Sequence, residues 1–153
     1  MAYWLVKTEP DSYSFDDLIR QKRTVWDGVT NALALKHIRN MKKGDLALVY
    51  HTGEQRAVVG VARIVSDPYP DPAAHDSRIV VVDLEPMRRL PRPVTLDQIK
   101  ADPTFAGWEL LRISRLSVMP VPAKMWKRIQ TLAQTASTRT ESSAEARTAT
   151  SQA

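Results

Sequence analysis

Residues 46–66 read LALVYHTGEQRAVVGVARIVS. Two apolar runs, Leu46–His51 and Ala57–Ser66, flank the polar pentad Thr52-Gly53-Glu54-Gln55-Arg56. Both runs have the composition of strands, and the first is apolar enough to be buried on both faces. The pentad is too short to hold the crossover helix that a parallel pair requires. An alternating parallel βαβ architecture is therefore disfavoured. Gly60, inside the second run, marks a bulge or a close approach by another group.

Working outward, Lys42-Lys43-Gly44-Asp45 is a turn leading into the first run. Asn31 can cap a helix over Ala32–Met41, whose Leu35, Ile38 and Met41 share one face. Ser14-Phe15-Asp16-Asp17 has the form of a capping box and starts a short helix ending near Gln21. Tyr3–Thr8 (YWLVKT) is a strand that stops before Pro10. Downstream, three prolines in Asp67–Pro72 read as a loop. Ile79–Leu84 is a strand, and Met87–Leu90 can extend it. Thr95 caps a helix to about Lys100, and Leu116–Pro120 is a final strand. A helix from about Pro122 carries Met125, Trp126, Ile129 and Leu132 on one face. The class is α+β: about five to six strands at short spacing with helices between them, which suggests a small barrel or a strongly bent sheet.

The chain has 153 residues, with 22 Lys and Arg against 17 Asp and Glu, a net charge of +5. Cysteine is absent, which removes disulfides, thiolate zinc sites and cysteine nucleophiles. Residues 134–153 contain 14 Ala, Ser or Thr and no large apolar side chain. Such a segment cannot offset its own ordering entropy. The expected organisation is one domain over residues 1–133 and a disordered tail over 134–153, with a helical extension as the alternative. The two arginines and two glutamates of the tail cancel, so the whole excess of five sits on the domain. No apolar run approaches the ~20 residues of a membrane span, and the N-terminus has no secretion-signal pattern. A soluble cytoplasmic protein is expected, with no membrane partner.

Trp26-Asp27-Gly28-Val29 is the most unusual segment: a large aromatic, then a turn pair, just ahead of a helix. It reads either as a core tryptophan beside a tight turn or as a π-platform for a flat ligand. In the second case Asn31 supplies an amide edge. Lys7 and Glu9 project to the same side of a strand end, as an ordinary ion pair or as pocket residues. Tyr50 and His51 end a buried strand, where side chains reach pocket rims. The three histidines form no metal-ligand spacing, so no metal and no cofactor is expected. There is no Gly-rich phosphate loop and no nucleophile elbow. Positive charge clusters in residues 20–43, net +6, and in 112–128, net +5. These are either solvated helix faces or phosphate contacts, for which Arg23, Lys36, Arg39, Lys42 and Lys43 are the candidates.

Several of these segments, taken in order, resemble one family. They are Tyr3-Trp4-Leu5-Val6-Lys7-Thr8-Glu9-Pro10, Tyr13-Ser14, Trp26-Asp27-Gly28-Val29 with Asn31, and Met41-Lys42-Lys43-Gly44-Asp45. Tyr50-His51, Val59-Gly60, Tyr69-Pro70-Asp71-Pro72, Arg92-Pro93-Val94-Thr95-Leu96 and Arg115-Leu116-Ser117-Val118 continue the set. The chain is similar to the EVE domain of the PUA-like superfamily, which includes the thymocyte nuclear proteins. The resemblance spans about residues 2–132. It implies a PUA-like mixed β pseudo-barrel with peripheral helices and a pocket that accepts a modified nucleobase. The favoured ligand is a flipped 5-substituted cytosine in DNA, with modified RNA as an alternative, bound by a monomer without catalysis.

By the same resemblance Trp26 is the stacking wall, and Val29 and Asn31 line the pocket. Lys7, Glu9, Tyr13 and Ser14 form its first-strand side. Tyr50 and His51 form the rim, and Arg115, Leu116 and Ser117 the closing wall. The chain departs from the family pattern at Thr30, usually Arg, at Ile79, usually Trp, and at Pro122, commonly Thr. The rival reading is a base- or nucleotide-processing hydrolase with Glu9 or His51 as general base and Lys7 as electrostatic partner.

Overall fold

A computed structural model describes residues 1–138. Its strands are β1 (Tyr3–Thr8), β2 (Thr24–Trp26), β3 (Leu46–His51), β4 (Ala57–Ile64), β5 (Tyr69–Pro70), β6 (Val80–Thr95) and β7 (Val118–Pro120). Its helices are α1 (Phe15–Gln21), α2 (Ala32–Arg39), α3 (Leu96–Lys100), α4 (Glu109–Arg112) and α5 (Ala123–Thr138), with a 3-10 turn over Pro103–Phe105. The strands form one mixed sheet in the order β2-β6-β4-β3-β1-β7, with β5 added to β6.

The residues at 52–56 do close an antiparallel pair, β3 with β4. One pair is parallel, however: β1 lies on β3 from Tyr3↔Leu46 to Thr8↔His51. Its connection is long, holding α1, β2 and α2, so the shortness rule never applied to it. The Asp67–Pro72 loop also contains paired residues, since Tyr69 and Pro70 lie on Val81 and Val80. A two-residue strand at the side of β6 tolerates the missing proline N–H. The strand starting near Ile79 runs far longer than expected, 16 residues to Thr95. Register shifts in its pairing with β4, at Val58/Gly60 and Val61/Ala62, bend the pair and let the sheet curl.

The capping residues act as the sequence indicated. Ser14 and Thr95 make full capping boxes with Asp17 and Gln98, and the Asn31 side chain accepts the Ala34 N–H at 3.0 Å. The last helix continues to Thr138, past the boundary placed at residue 133. The rest of the Ala/Ser/Thr-rich segment lies outside the described residues.

The core fills the curled sheet. Leu5, Leu48, Val58, Val61 and Val94 from the strands are fully buried with Leu18 of α1, Ile38 of α2 and Ile129 of α5. Phe15 lies against Gly60, where a Cβ would come 2.5 Å from the ring. A glycine is therefore what lets α1 seat on β4. Tyr3 and Trp126 stack with centroids 4.3 Å apart, which ties α5 to β1. Asp45 is buried at the start of β3. It accepts from the Trp4 indole N–H (3.0 Å) and from the backbone of Ala2 (3.1 Å) and Lys42 (3.0 Å). Burial alone would raise this carboxyl, but those hydrogen bonds and the N-terminal charge hold it below the ordinary carboxylate value.

Candidate functional site

A cavity of about 270 Å³ opens between elements from opposite ends of the strand order. Lys7 and Thr8 come from β1, and Ser117 from the residue before β7. Facing them are Thr24, Val25 and Trp26 of β2, the outermost strand on the other side. The cavity is thus the seam where the curled sheet stops short of closing. Tyr13 and the turn Asp27-Gly28-Val29 complete the lining. Gly28 has φ +81°, a conformation that favours glycine.

Trp26 belongs both to the core and to this cavity. It is 7% exposed, and Tyr13 meets it edge-on, with centroids 6.1 Å apart and planes at 81°. The two readings of this tryptophan are therefore compatible: core contacts hold rigid an indole that also forms a wall. The Lys7 ammonium donates to the Ser114 carbonyl at 2.9 Å and lies 5.8 Å from the Tyr50 ring centre. Burial pushes its pKa below the ordinary lysine value. The Lys7 backbone N–H donates to the Ser117 carbonyl at 2.9 Å, which fixes the β1 side of the seam. Asp27 adds an exposed carboxylate to the lining.

Of the twelve pocket residues expected from sequence, the structure gathers Lys7, Tyr13, Trp26, Val29 and Ser117 around this cavity. The others stand apart from its lining. Ser14 and Asn31 spend their side chains capping helices. The His51 Nε2 accepts the Phe15 N–H at 3.0 Å, and its Nδ1 pairs with Gln55 at 2.8 Å. His51 is thus a bracket between α1 and β3, with no nitrogen left over. The Glu9 carboxylate accepts the Asp11 N–H at 3.2 Å and lies against Gly53. Leu116 is in the core, Arg115 is exposed, and Tyr50 faces a neighbouring cavity. Thr8, Thr24, Val25, Asp27 and Gly28 were not singled out as pocket residues. Asp27 and Gly28 could have been found, because they sit inside the quoted Trp26 motif.

The phosphate candidates also divide. Arg23 is paired with Asp83 at 2.9 Å and lies 3.8 Å from Glu85, so its charge is already answered. Asp83 accepts from the Tyr69 hydroxyl as well, at 2.6 Å, and this bond raises the phenol to about 12. Arg39 donates to the Arg78 carbonyl at 2.6 Å. Lys42 and Lys43 lie in the turn beside the start of β1. Lys7 and Thr8 are at the other end of that strand, roughly 13 Å away at ~3.3 Å per residue. Lys36 is exposed on α2. Among the described residues no group of three His, Asp or Glu could hold a metal, and no helix is long and apolar enough to cross a membrane.

Residues 2–132 match the EVE domain family, which is nearly the whole described chain. The chain belongs to the EVE domain family. Thymocyte nuclear protein 1 of Rattus norvegicus is 33% identical over 64% of this chain and 55% of the relative. The chain thus spans about half the length of that curated relative. The NMR structure of Rpa0253 from Rhodopseudomonas palustris is 40% identical. It has a TM-score of 0.83 and covers 87% of this chain and 93% of its own. Human THYN1, crystallised in complex with DNA containing 5-methylcytosine, is 26% identical with a TM-score of 0.81, over 88% of this chain and 98% of its own. The curled sheet of this EVE domain is accordingly the PUA-like pseudo-barrel that the resemblance implied.

Proposed function

We infer that this EVE domain binds nucleic acid and takes one modified base, a flipped 5-substituted cytosine in DNA, into the cavity at the seam. The observation that carries the reading is Trp26: a rigid aromatic wall, held by core packing, on a cavity of about 270 Å³. Drug-sized sites start near ~300 Å³, so the space suits a single ring with its substituent. Stacking on the indole contributes about 1–3 kcal/mol. That is the size of the few kcal/mol needed to extrude a base from a duplex. Asp27 can accept from the exocyclic amino group of cytosine, the pairing expected of an acidic side chain. The human THYN1 complex with 5-methylcytosine DNA supports the same ligand. A reader is favoured over the hydrolase alternative because His51 and Glu9 are engaged outside the cavity.

The test is anisotropy of labelled duplexes carrying one cytosine or one 5-methylcytosine. Trp26→Leu keeps an apolar side chain in the core and removes the platform. It is expected to weaken binding of the modified duplex by about 1–3 kcal/mol, or about 5- to 150-fold. A folded Trp26→Leu protein that keeps the wild-type preference for the modified duplex refutes the reading.

A further inference from the structure

Lys7 lines a second cavity as well as the first. This neighbour, about 310 Å³, lies where β1 and β3 end, against α3 and α4. Tyr50 and Leu110 give it apolar walls, while Lys7, Arg56 and Lys100 bring three positive charges to it. Among the described residues no carboxylate lines it. The nearby acids lie outside this lining: Glu54 and Asp97 line an adjoining cavity that Arg56 also borders, and Glu9 lies against Gly53. Among the described residues neither Arg56 nor Lys100 makes an ion pair. Thr52 and Ser114 supply hydroxyls at the same place.

Three cations around one space repel one another unless an anion joins them. The backbone adds a second observation. Arg56 has φ +42°, a left-handed conformation that a side-chain-bearing residue adopts at a cost in free energy. Its carbonyl is locked by the Leu96 N–H at 2.8 Å. A strained, unpaired arginine is thus fixed at the cavity by a rigid connection between β3 and β4. Strain of this kind collects at ligand sites.

We propose that this second cavity binds a backbone phosphate of the strand whose base enters the first, with Arg56 and Lys100 as its charged contacts and Lys7 standing between phosphate and base. The proposal rests on the base-binding reading above, because the shared Lys7 wall is what joins the two sites into one nucleotide-sized site. Arginine, lysine and hydroxyl side chains are the usual partners of phosphate oxygens. A phosphate there also offsets the desolvation that now disfavours charged Lys7. The chain's two basic segments by sequence, residues 20–43 and 112–128, contain neither Arg56 nor Lys100.

Arg56→Ala and Lys100→Ala test this in the full chain, with modified and unmodified duplexes titrated between 50 and 200 mM salt. Each lost phosphate contact lowers the slope of log affinity against log salt by about 0.9. The fall in affinity across that fourfold salt range then shrinks by about 3.5-fold per variant. Both duplexes are expected to weaken together, with the modification preference unchanged. Lys100→Arg is expected to keep the wild-type slope. A duplex with one neutral methylphosphonate 5′ to the modified base should reproduce the loss in wild-type protein and add nothing to it in Arg56→Ala. Unchanged slopes, or a loss confined to the modified duplex, overturn the proposal. So does competition by free inorganic phosphate that Arg56→Ala abolishes while DNA binding stays intact. If the wild type shows no modification preference but the slopes still fall, the base reading fails and the phosphate contacts stand.

Discussion

Gly60→Ala adds a single methyl group where the structure has no room for it. The new Cβ would lie 2.5–2.6 Å from three atoms of the Phe15 ring, about an ångström inside ordinary contact. The ring cannot simply withdraw. Phe15 is 1% exposed, and its N–H is held by His51 at 3.0 Å. Arg89 covers the ring, with its guanidinium 5.8 Å from the centroid, and pairs with Asp16 of the same helix. The first turn of α1 must therefore shift as a unit. Overpacking of this kind costs about 1–3 kcal/mol. For a chain of this size each kcal/mol lowers Tm by about 2–4 °C, so a fall of about 2–12 °C is expected by calorimetry or circular dichroism. Tyr13, two residues ahead of Phe15, lines the seam cavity and packs on Trp26, so the preference for modified DNA should drop as well. Phe15→Leu in the Gly60→Ala background makes room and should recover part of the loss, a coupling readable in a double-mutant cycle. A Gly60→Ala protein with wild-type Tm, or a double variant whose losses simply add, refutes the account of α1 seating.

Two further outcomes follow from individual carboxylates. Asp45 has a folded pKa below its unfolded value. Its stabilisation is therefore fully present above about pH 4 and is lost as pH falls through the lower folded value. Asp45→Ala, which orphans the Trp4 indole N–H, should cost about 3 kcal/mol at neutral pH. Asp45→Asn should flatten the acid limb of a urea-denaturation profile, and an unchanged limb would show that Asp45 does not drive it. At the cavity, thymine carries the same methyl as 5-methylcytosine but a carbonyl in place of the amino group. The wild type should prefer 5-methylcytosine, and Asp27→Ala should erase about 1–3 kcal/mol of that discrimination. Competition binding that shows an unaltered ratio removes Asp27 from base recognition.

What could be read in advance was local chemistry. Ser14, Asn31 and Thr95 announce helix starts because a short oxygen-bearing side chain satisfies N–H groups within three residues. The Thr52–Arg56 connection disfavours a parallel pair because it is too short to hold a crossover helix. The strand β2 was invisible, since Thr24-Val25-Trp26 is too short to show alternation. The parallel β1–β3 pairing joins Tyr3 to Leu46, a choice of partner that no short-range pattern encodes. The site follows the same division. Trp26 and Lys7 stand out by residue type. Ser14, Asn31 and His51 have the chemistry of ligand contacts, yet their bonds go to backbone and to Gln55. A polar side chain in sequence does not say whether its partner is a ligand or the protein itself.

Charge shows why the arrangement in space matters more than the count. By sequence, residues 20–43 are the densest basic segment of the chain. Folding pairs Arg20 with Asp17 and Arg23 with Asp83, and sends Lys42 and Lys43 to the far end of β1 from Lys7. The cations that meet beside the seam are Lys7, Arg56 and Lys100, spaced more than 40 residues apart along the chain, and Arg56 and Lys100 are inconspicuous there. Every unpaired cation attracts DNA at long range, but only those next to the cavity can hold a backbone while its base is out of the stack. A protein organised this way should lose little single-base preference when Lys42 or Lys43 is neutralised. It should lose affinity for every sequence when Arg56 or Lys100 is. The residue that joins the two effects is Lys7, which lines both cavities.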